Sequence, residues 1–312
     1  MSGNEGNTEV DKPAPRRART LAEFYEVDEA AFPTAECAAA IAGYRPRPTD
    51  VVITPYSKCG TTWLQQIFHT LRTRGDMDFD DISRVVPWIE TAVTLGLDLD
   101  APQRAEPRGF KSHLSYDEVP KGARYIVAVR EPKDALVSLY RFMEGWFIEP
   151  GAISIAEFAQ SFIDRHANGG GYWRYLTSWW AQRDNPEVLI LSYEHMLAEP
   201  GVAIRRVAAF SGIPLDDDLL ALTLEQSSFG FMAAHKDRFD EAMTRAVSEA
   251  RGNLPPNSDA SKVRQGTVGG HRSELSAEVA EALDAMWRDV VTPATGFPDY
   301  AAFEAAVRLR DS

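Results

Sequence analysis

The chain has 312 residues, a formal net charge of −13 at pH 7, 44% apolar residues and two cysteines. That length supports a sizeable core in one large α/β domain or two smaller ones. The charge weakens long-range attraction to nucleic acid, anionic membranes and polyanionic sugars, so an anion would bind only in a local basic pocket. No run of 18 apolar residues is present, so no membrane span is expected, and Cys37 and Cys59, outside any CxxC pair and without an Asn-x-Ser/Thr acceptor in the chain, suit a reducing cytoplasm.

The first twenty residues, MSGNEGNTEVDKPAPRRART, are polar and lack both an apolar h-region and a small-residue cleavage site. They read as a disordered tail, with 21–312 forming a single domain. From about residue 50, short apolar strands alternate with helical patterns. VVIT (51–54) precedes a helix from about Thr61 to Arg72, and RGFKSH (108–113) is a second strand. ARYIVAV (123–129) runs into REPKDALVSLYRFMEGW, where Pro132 suits a first helical turn. EVLILSY (187–193) is a fourth strand, flanked by GGYWRYLTSWWAQR and PGVAIRRVAAFSGI, both with helical spacing. This order predicts an α/β fold: a doubly wound, mainly parallel sheet flanked by helices, with ligands at the carboxyl ends of the strands. NGGG (168–171) reads as a hinge or turn. Past residue 225 the pattern weakens into a long polar stretch with helical pieces, which in a compact domain signals a functional or mobile loop.

The polar residues of interest fall at the predicted strand ends. YSKCGTTW (56–63) places Lys58 and the N–H groups of residues 59–62 at a strand-to-helix turn, where unpaired donors and the positive end of the helix dipole make an anion site. The alternative is a solvated turn in which Thr61 or Thr62 caps the helix. In KSH, Lys111 and His113 share one side if the strand continues through them. Arg130 leaves the third strand directly, and Ser138 follows on the helix.

In this order the motifs resemble the cytosolic-type sulfotransferases, which use 3′-phosphoadenosine 5′-phosphosulfate (PAPS). YSKCGTTW resembles the family's 5′-phosphosulfate loop, VAVREPKDALVSLYRF its 3′-phosphate segment, and RQGTVGG its late Arg-Lys-Gly-x-x-Gly motif; FKSHL, LSYEHM and SSFGFM fall between them in the expected order. The resemblance runs from about residue 50 to 272 and implies a P-loop-like strand-loop-helix with a role for each matching residue. Lys58 would contact the bridging oxygen between phosphate and sulfate, Lys111 would steady the transferring oxygens, and His113 would take the acceptor's proton. Cys59, Gly60, Thr61 and Thr62 would hold the 5′-phosphate. Arg130, Ser138 and Arg264 would hold the 3′-phosphate, with Gln265 and Gly266 close by. Trp63, Tyr193, Ser227 and Phe229 would pack around or contact the adenine. No metal is implied.

Three departures from the family pattern stand out: Cys59 for serine, Gln265 for lysine, and Gly270-His271 for Asp-Trp. They bear on how tightly the nucleotide is held. The family's short dimer motif is absent from HRSELSAEVAE. Cys59, beside Lys58 at a helix start, is expected to carry a lowered thiol pKa and to react with peroxide or iodoacetamide; the alternative is a thiol turned into the core. Acceptor-shaping loops are expected in LAEFYEVDEAAF, VVPWIETAVTLGLDL, FMEGWFIEPG and FMAAHKDRF, whose aromatic content suits a small apolar alcohol, phenol or lipid. The competing readings are a P-loop kinase or NTPase, which the absence of Gly-x-x-x-x-Gly-Lys-Ser/Thr disfavours, and a catalytically inactive nucleotide-binding relative.

Overall fold

The computed structural model describes residues 14–167, 169–259, 262 and 268–310. Its sheet has four parallel strands in the order β2-β1-β3-β4, where β1 is Val51–Ile53, β2 Gly109–Lys111, β3 Arg124–Val129 and β4 Val188–Ser192. Val51 pairs with Gly109 on one side and Arg124 on the other, and Tyr125 pairs with Val188. The strands are nearly unbroken runs of buried β-branched and apolar residues, as strands covered on both faces require.

Alternation along each strand divides these residues between two cores. Val52, Phe110, Tyr125, Val127 and Ile190 face Leu136 and Tyr140 of the helix Pro132–Trp146 and Trp173 and Trp179 of the helix Gly171–Trp180. Val51, Ile53, Ile126 and Leu191 face Leu64, Ile67 and Phe68 of the helix Thr61–Thr73 and Ile204 and Val207 of the helix Pro200–Ser211. The sheet is therefore doubly wound. Gly109 permits the close approach on the second face, since a Cβ there would stand 2.3 Å from the Phe68 ring.

The expected strands are each trimmed by a residue or more at their ends. The polar stretch after residue 225 is more ordered than its sequence suggested: it holds the helices Phe229–Ala234 and Ala242–Arg251. Of the glycine run, Asn168 lies outside the described residues, and Gly169 and Gly170 form the turn between two helices, their N–H groups donating to His166 and Arg165 carbonyls. The ordered chain also reaches back past the tail boundary expected at residue 20. Ala18 is buried and pairs with Ile148, and the Arg16 N–H donates to the Asn253 carbonyl. No helix among the described residues is long and apolar enough to cross a membrane.

A buried ion pair fixes the starts of β1 and β2. Arg108 donates through Nε and Nη2 to the two oxygens of Asp50 at 2.9 and 2.7 Å, while the Tyr44 hydroxyl and the Arg47 N–H donate to the same carboxylate. Both charged side chains are essentially sealed from solvent, at 1% and 0% exposure. Asp50→Ala would strand the guanidinium, and a loss of about 3–5 kcal/mol in urea unfolding is expected; a change below about 1 kcal/mol would show that the pair is dispensable.

Candidate functional site

The strand order creates a crevice between β1 and β3. From β1 the chain passes to β2 on one side, then crosses to β3 and β4 on the other, and a ligand site is expected where the direction reverses. A cavity of about 410 Å³ opens at that point, over the carboxyl ends of the strands.

Its floor is the turn after β1. Lys58 adopts a left-handed backbone, φ 67°, and Gly60 follows at φ 93°, so the chain turns twice within three residues before the helix Thr61–Thr73 begins. At Gly60 a side chain would be strained and its Cβ would touch the Tyr193 ring at 3.0 Å. The first-turn N–H groups of Thr61, Thr62 and Trp63 have no intrahelical acceptor. The Thr61 hydroxyl is buried without a hydrogen-bond partner among the described residues. The Cys59 N–H, in contrast, donates to the Tyr56 carbonyl at 3.0 Å, which removes it from the expected set of phosphate donors.

Cys59 departs from expectation in its side chain as well. The thiol is fully buried and points at the Ser57 carbonyl, and burial pushes its pKa up to about 12 against the pull of Arg130 and Lys58. Proximity to a helix start and a lysine does not activate a thiol enclosed by Tyr172, Tyr175 and their neighbours.

Lys111, His113, Arg130, Ser138, Tyr193, Ser227 and Phe229 line the same cavity as Lys58, Gly60, Thr61, Thr62 and Trp63. β2 ends at Lys111, so strand alternation is not what brings Lys111 and His113 together. The Ser112 N–H still donates to the Ile53 carbonyl, and the His113 N–H then donates to Oε1 of buried Glu90 at 2.7 Å. His113 Nδ1 lies 2.7 Å from the Pro55 carbonyl, which can only accept. Nδ1 therefore carries the proton and Nε2 the lone pair. Burial, aided by Lys111, lowers the His113 pKa to about 3, so the ring is neutral at physiological pH.

Arg130 donates to the Lys58 carbonyl at 2.8 Å and stacks over Tyr193, 4.4 Å from the ring centroid, tying the third strand end to the first loop. Trp63 meets Tyr193 edge-on with centroids 5.9 Å apart. Ser227 is buried and donates to the Thr223 carbonyl at 2.6 Å, so in this arrangement its hydroxyl hydrogen is directed at its own helix. Phe229 is half exposed at the cavity rim. Arg264, Gln265 and Gly266 lie outside the described residues. Their neighbours are anchored, however: Asp134 accepts from the N–H groups of Gly269 and His271 at 2.6 and 3.0 Å and from His271 Nδ1 at 2.7 Å.

Two members of the site carried no sequence motif. Glu241, 1% exposed and itself in a left-handed conformation, accepts from both Lys111 and Lys262. Burial alone would raise its pKa, but the two ammonium groups hold it well below the usual carboxylate range. Burial lowers Lys262 to about 8 and moves Lys58 well below its ordinary value, with Lys262, Arg130 and Lys111 adding to the effect on Lys58. Lys58 and Lys111 sit over the Phe142 and Trp88 rings at 4.0 and 3.8 Å. Lys58, Lys111, Arg130 and Lys262 gather around Glu241 on this side of the cavity, a cluster of cations suited to a multiply charged anion. Among the described residues no group of three His, Cys, Asp or Glu side chains is placed to hold a metal ion.

A family model described as "Sulfotransferase domain" matches residues 48–294. Human sulfotransferase 1C2 is 26% identical over 80% of this chain and 85% of its own length. The guinea-pig (Cavia porcellus) 3-alpha-hydroxysteroid sulfotransferase is 27% identical over the same shares. Retinol dehydratase in complex with retinol and PAP superposes with a TM-score of 0.66 at 20% identity, covering 88% of this chain and 96% of that one. Mouse sulfotransferase SULT7A1 complexed with PAP gives 0.65 at 20% identity, over 88% and 94%. These two structures share the fold.

Because the Cys59 thiol is enclosed and its pKa raised, iodoacetamide at neutral pH is expected to leave Cys59 unlabelled in the native protein and to modify it only after unfolding. Peptide mass spectrometry reads this directly, and rapid native labelling at Cys59 would contradict the buried placement.

Proposed function

Because the chain belongs to the sulfotransferase domain family, whose model spans residues 48–294, we propose that it transfers a sulfuryl group from PAPS to a hydroxyl or amine of a small, largely apolar acceptor. The observation that carries this reading is the convergence, in one cavity, of a free helix N-terminus, a cluster of lysines and a neutral histidine with an available Nε2. The residues fit the donor. Thr61, Thr62 and Trp63 N–H groups and the unpartnered Thr61 hydroxyl suit its 5′-phosphate. Arg130 and Ser138 suit the 3′-phosphate, to which the family resemblance also assigns Arg264, and Trp63, Tyr193 and Phe229 suit the adenine. Bound there, PAPS supplies an activated sulfuryl group whose S–O bond to the phosphate breaks on transfer.

The chain's own residues then have separate tasks. His113 Nε2 removes the proton from the acceptor's O–H or N–H as that atom attacks sulfur in line, with Nδ1 held by the Pro55 carbonyl so that the lone pair stays in place. Lys58 neutralises the charge that accumulates on the bridging oxygen, and Lys111 steadies the sulfuryl oxygens. The lowered proton affinity of Lys58 in the free protein rises again when anionic charge arrives beside it. Aromatic residues around His113, including Phe32, Trp88, Phe142 and Trp146, shape an apolar acceptor arm. The relatives that act on a steroid or retinol by name are in keeping with acceptors of this size. We assign residues 21–312, with the anchored stretch before them, to one catalytic domain, and place it in the cytoplasm, where free Cys37 and Cys59 are at home.

The kinase-like alternative would need an acid at the end of β4 to hold magnesium. The nearest, Glu194, is instead occupied with the Glu131 N–H and the Tyr300 hydroxyl, at 2.9 and 2.6 Å. An inactive relative would be expected to have lost Lys58 or His113, and both are present.

Lys58→Ala and His113→Ala should each reduce turnover with PAPS by about 10²-fold or more, measured by mass spectrometry of sulfated products from a panel of hydroxylated small molecules. Wild-type turnover in His113→Ala would remove the base assignment. In the wild type without donor, an NMR titration of the His113 ring should show it neutral from pH 8 to 5, because its conjugate acid forms only near pH 3 in the free protein. Arg130→Ala and Arg264→Ala should weaken PAPS by on the order of 1.5–3 kcal/mol while affecting adenosine 5′-phosphosulfate much less, since only PAPS carries the 3′-phosphate. Calorimetric titration distinguishes this from equal weakening of both nucleotides, which would place the arginines elsewhere.

A further inference from the structure

The acceptor arm ends against the helix Leu21–Ala31. Phe24 and Phe32 lie one turn to either side of Asp28, and all three line the cavity. Phe32 meets Trp88 with centroids 6.0 Å apart and Trp146 at 6.3 Å, and Trp88 meets the His113 ring at 5.3 Å. Phe24 packs on Phe147 at 6.2 Å. An aromatic wall thus runs from the histidine to a carboxylate.

That carboxylate interrupts the apolar stripe by which the helix faces the cavity. Among the described residues the Asp28 side chain has no hydrogen-bond or ion-pair partner. Arg165, which lines the same cavity, is the one cation that acts on it, from beyond ion-pair distance, and its guanidinium stands 5.9 Å from the Tyr25 ring centroid. Burial raises the pKa of Asp28 and Glu29 adds repulsion, so the fold gains nothing evident from a carboxylate here. A donor brought by a ligand would satisfy it, and the faces of Phe24, Phe32 and Phe147 favour a cationic donor over a neutral one. The chain's net charge of −13 favours cationic over anionic acceptors in long-range approach.

We propose that Asp28 is a specificity-determining residue that pairs with a cationic amine at the end of the acceptor remote from the reacting hydroxyl, so that the preferred acceptors are phenols or alcohols bearing a basic nitrogen. This rests on the sulfotransferase reading of the same cavity. The aromatic wall takes the body of such a molecule, His113 addresses its hydroxyl, and Asp28 fixes which end enters first.

The test uses the full-length protein with PAPS and three phenols of matched length, carrying a para propylammonium, butyl or butyrate chain. The wild type should favour the ammonium over the butyl compound by about tenfold in kcat/KM, with the butyrate poorest. Asp28→Asn should abolish the gap between ammonium and butyl, chiefly through KM, and Asp28→Glu should retain most of it. Should no phenol turn over while the bisphosphate product PAP still binds, calorimetric affinities of the three phenols for the PAP-loaded protein replace kcat/KM in the same comparison. Absence of an ammonium preference in the wild type overturns the proposal, as does a preference that survives in Asp28→Asn, which would make the aspartate structural. A protein that neither binds PAP nor sulfates any phenol fails the sulfotransferase reading itself, a result distinct from one in which PAP binds and the butyl phenol is sulfated as well as the ammonium.

Discussion

The site depends on one carboxylate held between two lysines. Glu241 takes the Lys111 and Lys262 ammonium groups at once, and without it β2 would end in a buried charge facing a second buried charge. Removing one partner from such an arrangement costs far more than the arrangement itself contributes, because the remaining charge has no water to turn to. One acid does not balance the cations gathered around it, since Lys58 and Arg130 lie close to the two lysines it holds. The left-handed backbone at Glu241, φ 49°, costs on the order of 1–3 kcal/mol and is tolerated where surrounding contacts determine the position. Here those contacts are the two lysines, one on the sheet and one beside the segment that bears Arg264.

The sheet's contribution is placement. Parallel strands deliver their carboxyl ends to one edge, and the reversal of winding direction between β1 and β3 leaves room there. Arg130 spans that gap by donating to the Lys58 carbonyl, and Tyr193, arriving from β4, stacks beneath the guanidinium and against Gly60. Three strand ends are thereby held by one another and not only by the sheet. His113 is held in a similar way through its N–H on Glu90 and its ring on Pro55.

Much of this was legible in the sequence, for identifiable reasons. Strand and helix order followed from apolar runs and capping residues, which act locally. Lys58, Thr61, His113 and Arg130 could be placed because each sits at or just past a strand end or helix start that a short window reveals, and Ser138 through the family motif that contains it. Glu241 and Lys262 could not, since Glu241 meets Lys111 from far away in the chain, Lys262 meets Glu241 only through the fold, and nothing in FDEAMT or ASKVRQ marks an ion pair. Asp134 was quoted within a motif, but its role as acceptor for Gly269 and His271 exists only after folding. Cys59 shows the opposite case: its neighbours in sequence left a reactive thiol and a core-facing one both open, and its neighbours in space, chiefly tyrosines and apolar side chains, enclose it. A local rule about helix ends fails when burial outweighs the dipole.

The Asp134 contact has a consequence for how the protein comes into being. It joins the first turn of the helix after β3 to a loop 135 residues further along, and the segment carrying Arg264 lies just before that loop. On a growing chain, strands β1 to β4 and the loop after β1 can assemble well before residues 264–271 have been synthesised. A nascent chain stalled before residue 269 would therefore carry β1 to β4 and the loop after β1 without the contact that ties the late segment to the helix after β3.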